Sequence, residues 1–266
     1  MAKGISICGV SQAFGAPGDP RRVVALEDAT LEIPAGELVC LIGPSGCGKS
    51  SLLDIIAGLA TPAGGSVTID GEPVRGPLPK RVSFVFQENA LFPWLSVYDN
   101  ILAGLAFQGA PKSERGERAD AALSAVGLEA FRDHFPRQLS GGMKQRAQLA
   151  RALSLQTEIL LMDEPFAALD EQTRLVLGED LSVQLARTRK TIVFVTHSLV
   201  EAVFLADRIA VFTARPGKIK TILTVDEPHP RAPSFMTSAK LTGLRNTLYE
   251  LLHDEVRKAI ETGAAI

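Results

Sequence analysis

The stretch GPSGCGKSS, residues 43–51, sets glycines at 43, 46 and 48 directly before Lys49, Ser50 and Ser51. Glycines let successive backbone N–H groups turn inward around an anion, and a helix starting there adds the positive end of its dipole. The pattern G-x-x-x-x-G-K-[ST] is a phosphate loop. Gly43, Pro44, Ser45, Gly46, Cys47 and Gly48 would wrap phosphate oxygens, Lys49 would reach the β- and γ-phosphates, and the Ser50 hydroxyl, followed by Ser51, would ligate Mg2+. Cys47 sits near a helix start and a lysine, where a thiol pKa is expected to fall; a small filler residue is the plainer reading.

The segment EILLMDEPFAALD, residues 158–170, describes a buried strand that delivers Asp163 and Glu164 at its C-terminal end. In an open parallel sheet that is where ligands bind. Asp163 can hold Mg2+ through water, and Glu164 can orient and deprotonate an attacking water. VFVTHS, residues 193–198, brings His197 to another strand end, where a γ-phosphate would lie. Gln87 closes a predicted strand at 81–87 and could reach the metal or the attacking water. A further glycine pair, Gly141-Gly142, within the stretch 137–153, stands in front of a run that reads as a helix, and is a second anion site less complete than the loop at 43–51.

These residues need strands and helices to carry them. Extended segments are predicted at 5–10, 23–33, 36–42 and 81–87, a helix at 48–58, and a hairpin at 64–74 marked by Gly-Gly and Asp70-Gly71. From 88 to 155 the chain reads as helical, with 113–126 the clearest amphipathic part. Strand–helix alternation then returns: strands at 158–162, 191–196 and 208–212, and helices at 171–187 and 199–206. Alternation of this kind implies a mainly parallel sheet covered on both faces. A strand at 218–225 follows the turn Pro216-Gly217, and a Pro-rich joint at 227–233 leads to one predicted helix, 235–260. Leu241, Leu244, Leu248, Leu251 and Leu252 form its apolar stripe.

The 266 residues are 46% hydrophobic and 22% charged, which is ordinary globular composition. A net charge of -2 gives no footprint for nucleic acid. Cys8, Cys40 and Cys47 are an odd, widely spaced set without a CxxC pair, which favours a reducing compartment. The N-terminus lacks the apolar core of a signal peptide, and no run approaches the ~20 apolar residues that span a bilayer. The expectation is a cytosolic protein that reaches a membrane only through a partner.

Taken together, these residues resemble the ATP-binding-cassette (ABC) family of ATPases. The phosphate loop, Gln87, an LSGGM-type signature at 139–143, the Asp163-Glu164 strand, Ala168-Leu169-Asp170 and His197 occur in the family's order. The resemblance covers the chain to about Val225. It implies an α/β P-loop NTPase (RecA-like) core with a mostly parallel sheet, an N-terminal antiparallel β subdomain and an inserted α-helical subdomain. The ATPase domain would be 1–226, with the insertion at 88–155, and 227–266 would be a helical tail. The family's pattern further implies a head-to-tail dimer in which Ser140, Gly141 and Gly142 touch the γ-phosphate held by the opposite copy and Asp170 crosses the interface. Phe14, in VSQAFG, matches the aromatic that stacks on adenine; as an unpaired Phe it could equally belong to a core.

Within the family, FQENALFPWLSVYDNI, residues 86–101, looks like the importer subgroup for nitrate, taurine and aliphatic sulfonates. That implies integral membrane permease subunits as partners, indirectly a periplasmic or extracellular solute-binding protein, and a place at the cytoplasmic face of the cell membrane. Phe92, Pro93, Trp94 and Leu95 read either as core of the helical insertion or as the seat for a short permease helix. Asn89, where the subgroup often has Pro, and Met143, where many members have Gln, depart from the pattern. A soluble cassette ATPase acting on DNA or ribosomes is the alternative, and would be expected to show coiled-coil insertions, tandem cassettes or basic surfaces.

Overall fold

The structure is a computed structural model that describes residues 3–16, 18–188 and 190–261. Its centre is a six-stranded sheet in the order β10-β9-β3-β8-β7-β6. Five strands run parallel: β3 (Leu38–Ile42), β6 (Val82–Val85), β7 (Ile159–Asp163), β8 (Thr191–Val195) and β9 (Arg208–Phe212). β10 (Ile219–Thr224) closes one edge antiparallel to β9. LVCLI, ILLMD and TIVFV are buried at every position, as strands covered on both faces must be, which is why they read as runs and not as alternations.

One face of this sheet meets α1 (Lys49–Ala57) and a four-stranded antiparallel sheet ordered β2-β1-β4-β5. In that sheet β1 (Ile5–Phe14) lies between β2 (Val23–Ile33) and β4 (Gly64–Ile69), and β4 turns into the short β5 (Glu72–Pro73). The turn is Asp70-Gly71, both with positive φ (55° and 79°), the geometry of a tight two-residue hairpin. Alternate residues Ile5, Ile7, Leu31 and Ile33 bury themselves against Leu52, Ile56 and the inner face of the central sheet. The expected strand at 5–10 is too short. β1 continues through register shifts to pair Phe14 with Val23.

The opposite face carries α2 (Val97–Gln108), α3 (Lys112–Ser124) and α4 (Gly141–Ser154), with short 3-10 turns between the last two. Residues 88–155 contain no strand among the described residues. Ser96 and Ser140 start α2 and α4, each accepting a bond from the amide three residues on (Asp99 N, 3.0 Å; Met143 N, 3.2 Å). Met143 packs half-buried on the core, which supplies a packing reason for an apolar residue at that place.

On the same side lie α5 (Glu171–Thr188), α6 (Leu199–Leu205) and α7 (Ala239–Glu261). The tail is not one helix from 235. A 3-10 turn, Pro233–Thr237, comes first, and Ser238 Oγ then accepts from Leu241 N (3.1 Å) and restarts the chain as α7. Its stripe packs on its own subunit: Leu241 and Leu248 are buried, and Leu244, Leu251 and Leu252 rest on the same core. Leu248→Ala is expected to cost about 3 kcal/mol, because a leucine with no exposed surface leaves a cavity. Chemical denaturation read by circular dichroism checks this, with an unchanged midpoint counting against the packing.

Candidate functional site

The parallel strands end together, and their register decides which side chains meet. Asp163 pairs with Val195 across β7 and β8, and Leu41 pairs with Val195 across β3 and β8. The residues just beyond these ends therefore line one cleft, of about 390 Å3. Ser45, Gly46, Gly48, Lys49, Ser50 and Ser51 of the phosphate loop and the start of α1 form its floor, and Glu164, His197 and Phe14 line it as well.

The floor is shaped by the loop before α1. Gly46 and Gly48 have φ of 74° and 90°, a region that side-chain-bearing residues rarely enter. A Cβ on Gly43 would stand 2.8 Å from Phe212 Cβ, so that position is glycine for lack of room. Gly43 and Pro44 do not line the cleft but hold its cation. Lys49 Nζ, nearly buried, donates to both their carbonyls at 2.9 Å. Cys47 also lies beneath the floor with no exposed surface. The expected fall in its pKa is wrong: burial pushes the thiol up, outweighing the nearby ammonium of Lys49.

Asp163, at the end of β7, is buried, and burial raises its carboxyl above the usual range although the Ser50 hydroxyl bonds to it. One of its oxygens, Oδ1, has no hydrogen-bond partner. The next residue leaves the strand in a left-handed conformation, φ 48° at Glu164, a costly geometry for a non-glycine residue. Two bonds hold it there: Glu164 N donates to Val195 O (3.0 Å), and Glu164 Oε1 lies 2.9 Å from His197 Nε2. Glu164 and His197 thus form one polar unit facing the floor.

Gln87 lines the cleft as well, but it does not close a strand. β6 ends at Val85, and Gln87 is exposed in the loop that follows. Phe14 is the last residue of β1 and is 53% exposed, so its ring is a cleft wall and no part of a core.

The remaining predicted residues lie outside this cleft. Ser140, Gly141 and Gly142 open α4, and Asp170 precedes α5. Gly142 packs against the loop that follows Glu164: a Cβ there would come within 2.4 Å of Leu169 Cδ2 and would push that side chain aside. Gln145 ties the same two elements together: its Oε1 accepts from Ala168 N (2.9 Å), and its Nε2 donates to Glu164 O (3.5 Å). Asp170 Oδ1 accepts from Thr173 N (2.9 Å), and this amide lowers the carboxyl pKa. Asp170 thus also caps the start of α5, a role the sequence analysis did not assign to it.

The sequence reading missed Arg215, which also lines the cleft. An arginine before Pro216-Gly217 matches no motif, and only the folded position of the β9–β10 turn reveals it.

A mostly parallel sheet with this loop at its strand ends and an acid–histidine pair opposite defines a P-loop ATPase cassette. Residues 26–167 match the family model for ABC transporter, and the chain belongs to that family as an ATP-binding, ATP-hydrolysing subunit. An uncharacterised ABC transporter ATP-binding protein of Methanocaldococcus jannaschii is 48% identical over 90% of this chain and 88% of its own length. The nitrate import ATP-binding protein NrtD of Synechocystis sp. is 47% identical over 77% of each chain, and the taurine import ATP-binding protein TauB of Roseobacter denitrificans 42% over 81% and 80%. Among solved structures, a dimeric ATP-binding cassette in a post-hydrolysis state bound to ADP and Pi superimposes with a TM-score of 0.76 at 31% identity, covering 84% of this chain and all of that one.

Proposed function

We propose that this chain powers an importer for a small anionic solute of the nitrate, taurine and aliphatic sulfonate class. The observation that carries the catalytic part is the Glu164–His197 pair facing the lysine-bearing floor. Glu164 takes the proton of the attacking water, and His197, its bonded neighbour, holds that carboxylate towards the γ-phosphate. Lys49 exchanges its two carbonyls for phosphate oxygens, while the Gly46, Gly48 and Ser50 amides bind the phosphate chain. Phe14 offers its exposed ring to the adenine.

The donors fit Mg2+. The unpartnered Oδ1 of Asp163 and the Ser50 hydroxyl would hold the ion as oxygen ligands, and Gln87, which lines the cleft together with Ser50, would add a further oxygen. When bound, the ion supplies charge neutralisation at the phosphates.

The dimer reading rests on the signature. Ser140, Gly141 and Gly142 present a helix start outside the chain's own cleft, and the similar solved cassettes are dimeric. A second copy would complete each site, with Asp170 near the seam. Gln145, which joins the signature helix to Glu164, lets closure of one site be felt at the other.

Coupling to permease subunits has its own surface. Trp94 is 71% exposed and Phe107 78%, and both rings meet Phe92 (5.7 and 6.2 Å between centroids) close after Gln87. Exposure on this scale speaks for docking over core. Trp94→Ala should leave the melting temperature within about 2 °C, yet weaken co-purification with permease subunits at least tenfold, since truncating a central aromatic anchor costs over ~2 kcal/mol. Undiminished assembly would remove Trp94 from the interface. The test of the whole reading is reconstitution with the permease and solute-binding protein: ATP-dependent uptake of taurine, alkanesulfonates or nitrate is expected, and a complex that imports none of them would overturn the solute class.

A further inference from the structure

Among the described residues, one lysine and one arginine line the cleft, Lys49 and Arg215, and they differ in occupation. Lys49 is bonded to the carbonyls of its own loop. The half-buried guanidinium of Arg215 has no hydrogen bond or ion pair among the described residues. A planar, permanently charged fork standing free in a phosphate-binding cleft is a group awaiting an anion.

Arg215 is also held firmly on both sides. It lies in the turn between β9 and β10, where Thr213 N donates to Lys218 O and Lys218 N returns a bond to Thr213 Oγ1, both 2.9 Å. Two residues on, Gly217 N donates to Ala25 O (2.8 Å), and Gly217 O accepts from Glu27 N (2.9 Å). Gly217 sits so close to the phosphate loop that a Cβ there would be 1.9 Å from Cys47 O. On the other side, Ala214 N donates to Glu255 Oε2 (3.0 Å). Glu255 belongs to α7, is 3% exposed, and its other oxygen is bound by Lys220 (2.9 Å) and Lys258 (3.1 Å). The tail helix therefore grips the residue next to Arg215.

We infer that Arg215 is a nucleotide-binding residue, contacting the phosphate chain at its base-proximal end, and that Glu255 of the tail helix is the residue that positions it. The place along the nucleotide follows from the anchors. The turn is tied to β2 at Ala25, two residues from Val23, which pairs with Phe14, the ring offered to the adenine, whereas Glu164 and His197 follow β7 and β8. A contact to phosphates present in both ATP and ADP binds ground and transition states alike, so it acts on KM more than on kcat.

The inference rests on the cleft being the nucleotide site, so the experiment includes Lys49→Ala. Calorimetric titration of the full-length chain with ATP and with ADP is run for Lys49→Ala, Arg215→Ala, Arg215→Lys, Glu255→Ala and Glu255→Gln, with steady-state hydrolysis alongside. Arg215→Ala is expected to weaken ATP and ADP by a similar factor of about ten or more, with Arg215→Lys recovering part of the loss. Glu255→Ala should raise KM in the same direction, and Glu255→Gln, which keeps an acceptor for Ala214 N, should recover it. If Lys49→Ala abolishes binding while Arg215→Ala binds both nucleotides normally, the inference falls and the cleft stands. If Lys49→Ala also binds normally, both fall. A loss confined to ATP would overturn the base-proximal contact. A Glu255→Ala protein that melts lower yet keeps wild-type KM would overturn the positioning role.

Discussion

Glu164→Gln is expected to lower ATP turnover at least a hundredfold while leaving ATP affinity within about threefold, the scale of losing a general base. The substitution preserves shape, and an amide oxygen can still meet His197 Nε2, now 2.9 Å from the carboxylate. The left-handed backbone at Glu164 is held by its amide bond to Val195 O, which the side chain does not make. Only basicity is removed. A protein that binds ATP without consuming it should accumulate as a closed dimer, visible as a doubling of mass by light scattering when ATP is added. Normal hydrolysis by this variant would take the role of base away from Glu164, and His197 would have to be considered in its place.

Ser140→Arg is expected to abolish turnover, again by at least a hundredfold, with nucleotide binding by the monomer largely intact. Ser140 is exposed and outside the chain's own cleft, so an arginine there has room in the single copy. Its local cost is the lost cap to Met143 N, about 1 kcal/mol, which shifts the melting temperature by a few degrees. In the dimer the same arginine occupies the space of the partner's γ-phosphate. Wild-type activity should accordingly rise with the square of protein concentration in the dilute range. Loss of monomer binding on Ser140→Arg would instead mean that the signature acts on its own nucleotide.

Much of this site was legible before any fold was known, for a physical reason. The role proposed for residues 43–51 rests on adjacent backbone amides, so it is contained in a contiguous run of glycines, lysine and serine. Asp163, Glu164 and His197 follow buried strands, and a parallel sheet places such strand ends side by side. Where contiguity fails, the reading weakened. Gln87 was assigned to a strand that ends two residues earlier, because Phe84 and Phe86 extend the apolar run past the last sheet pairing, stacking their rings 4.2 Å apart. Cys47 has a helix start and a lysine as sequence neighbours, which would lower a thiol pKa, yet desolvation by the packed core prevails, in keeping with the reading of a small filler residue.

Sequence by itself determined the chemistry: a phosphate loop, a carboxylate pair and a signature, each written in neighbouring residues whose local geometry follows from their types. Tertiary structure decided what those pieces touch. It made Phe14 part of the cleft lining and left Trp94 uncovered, and it set Gly142 against the side chain of Leu169. It laid the tail's leucines on the chain's own core, and it brought Glu255 to Ala214 across 41 residues, setting Arg215 in the cleft. Those contacts join segments far apart in the chain, and their free energy comes from burial and bonds that exist only once both partners are in place.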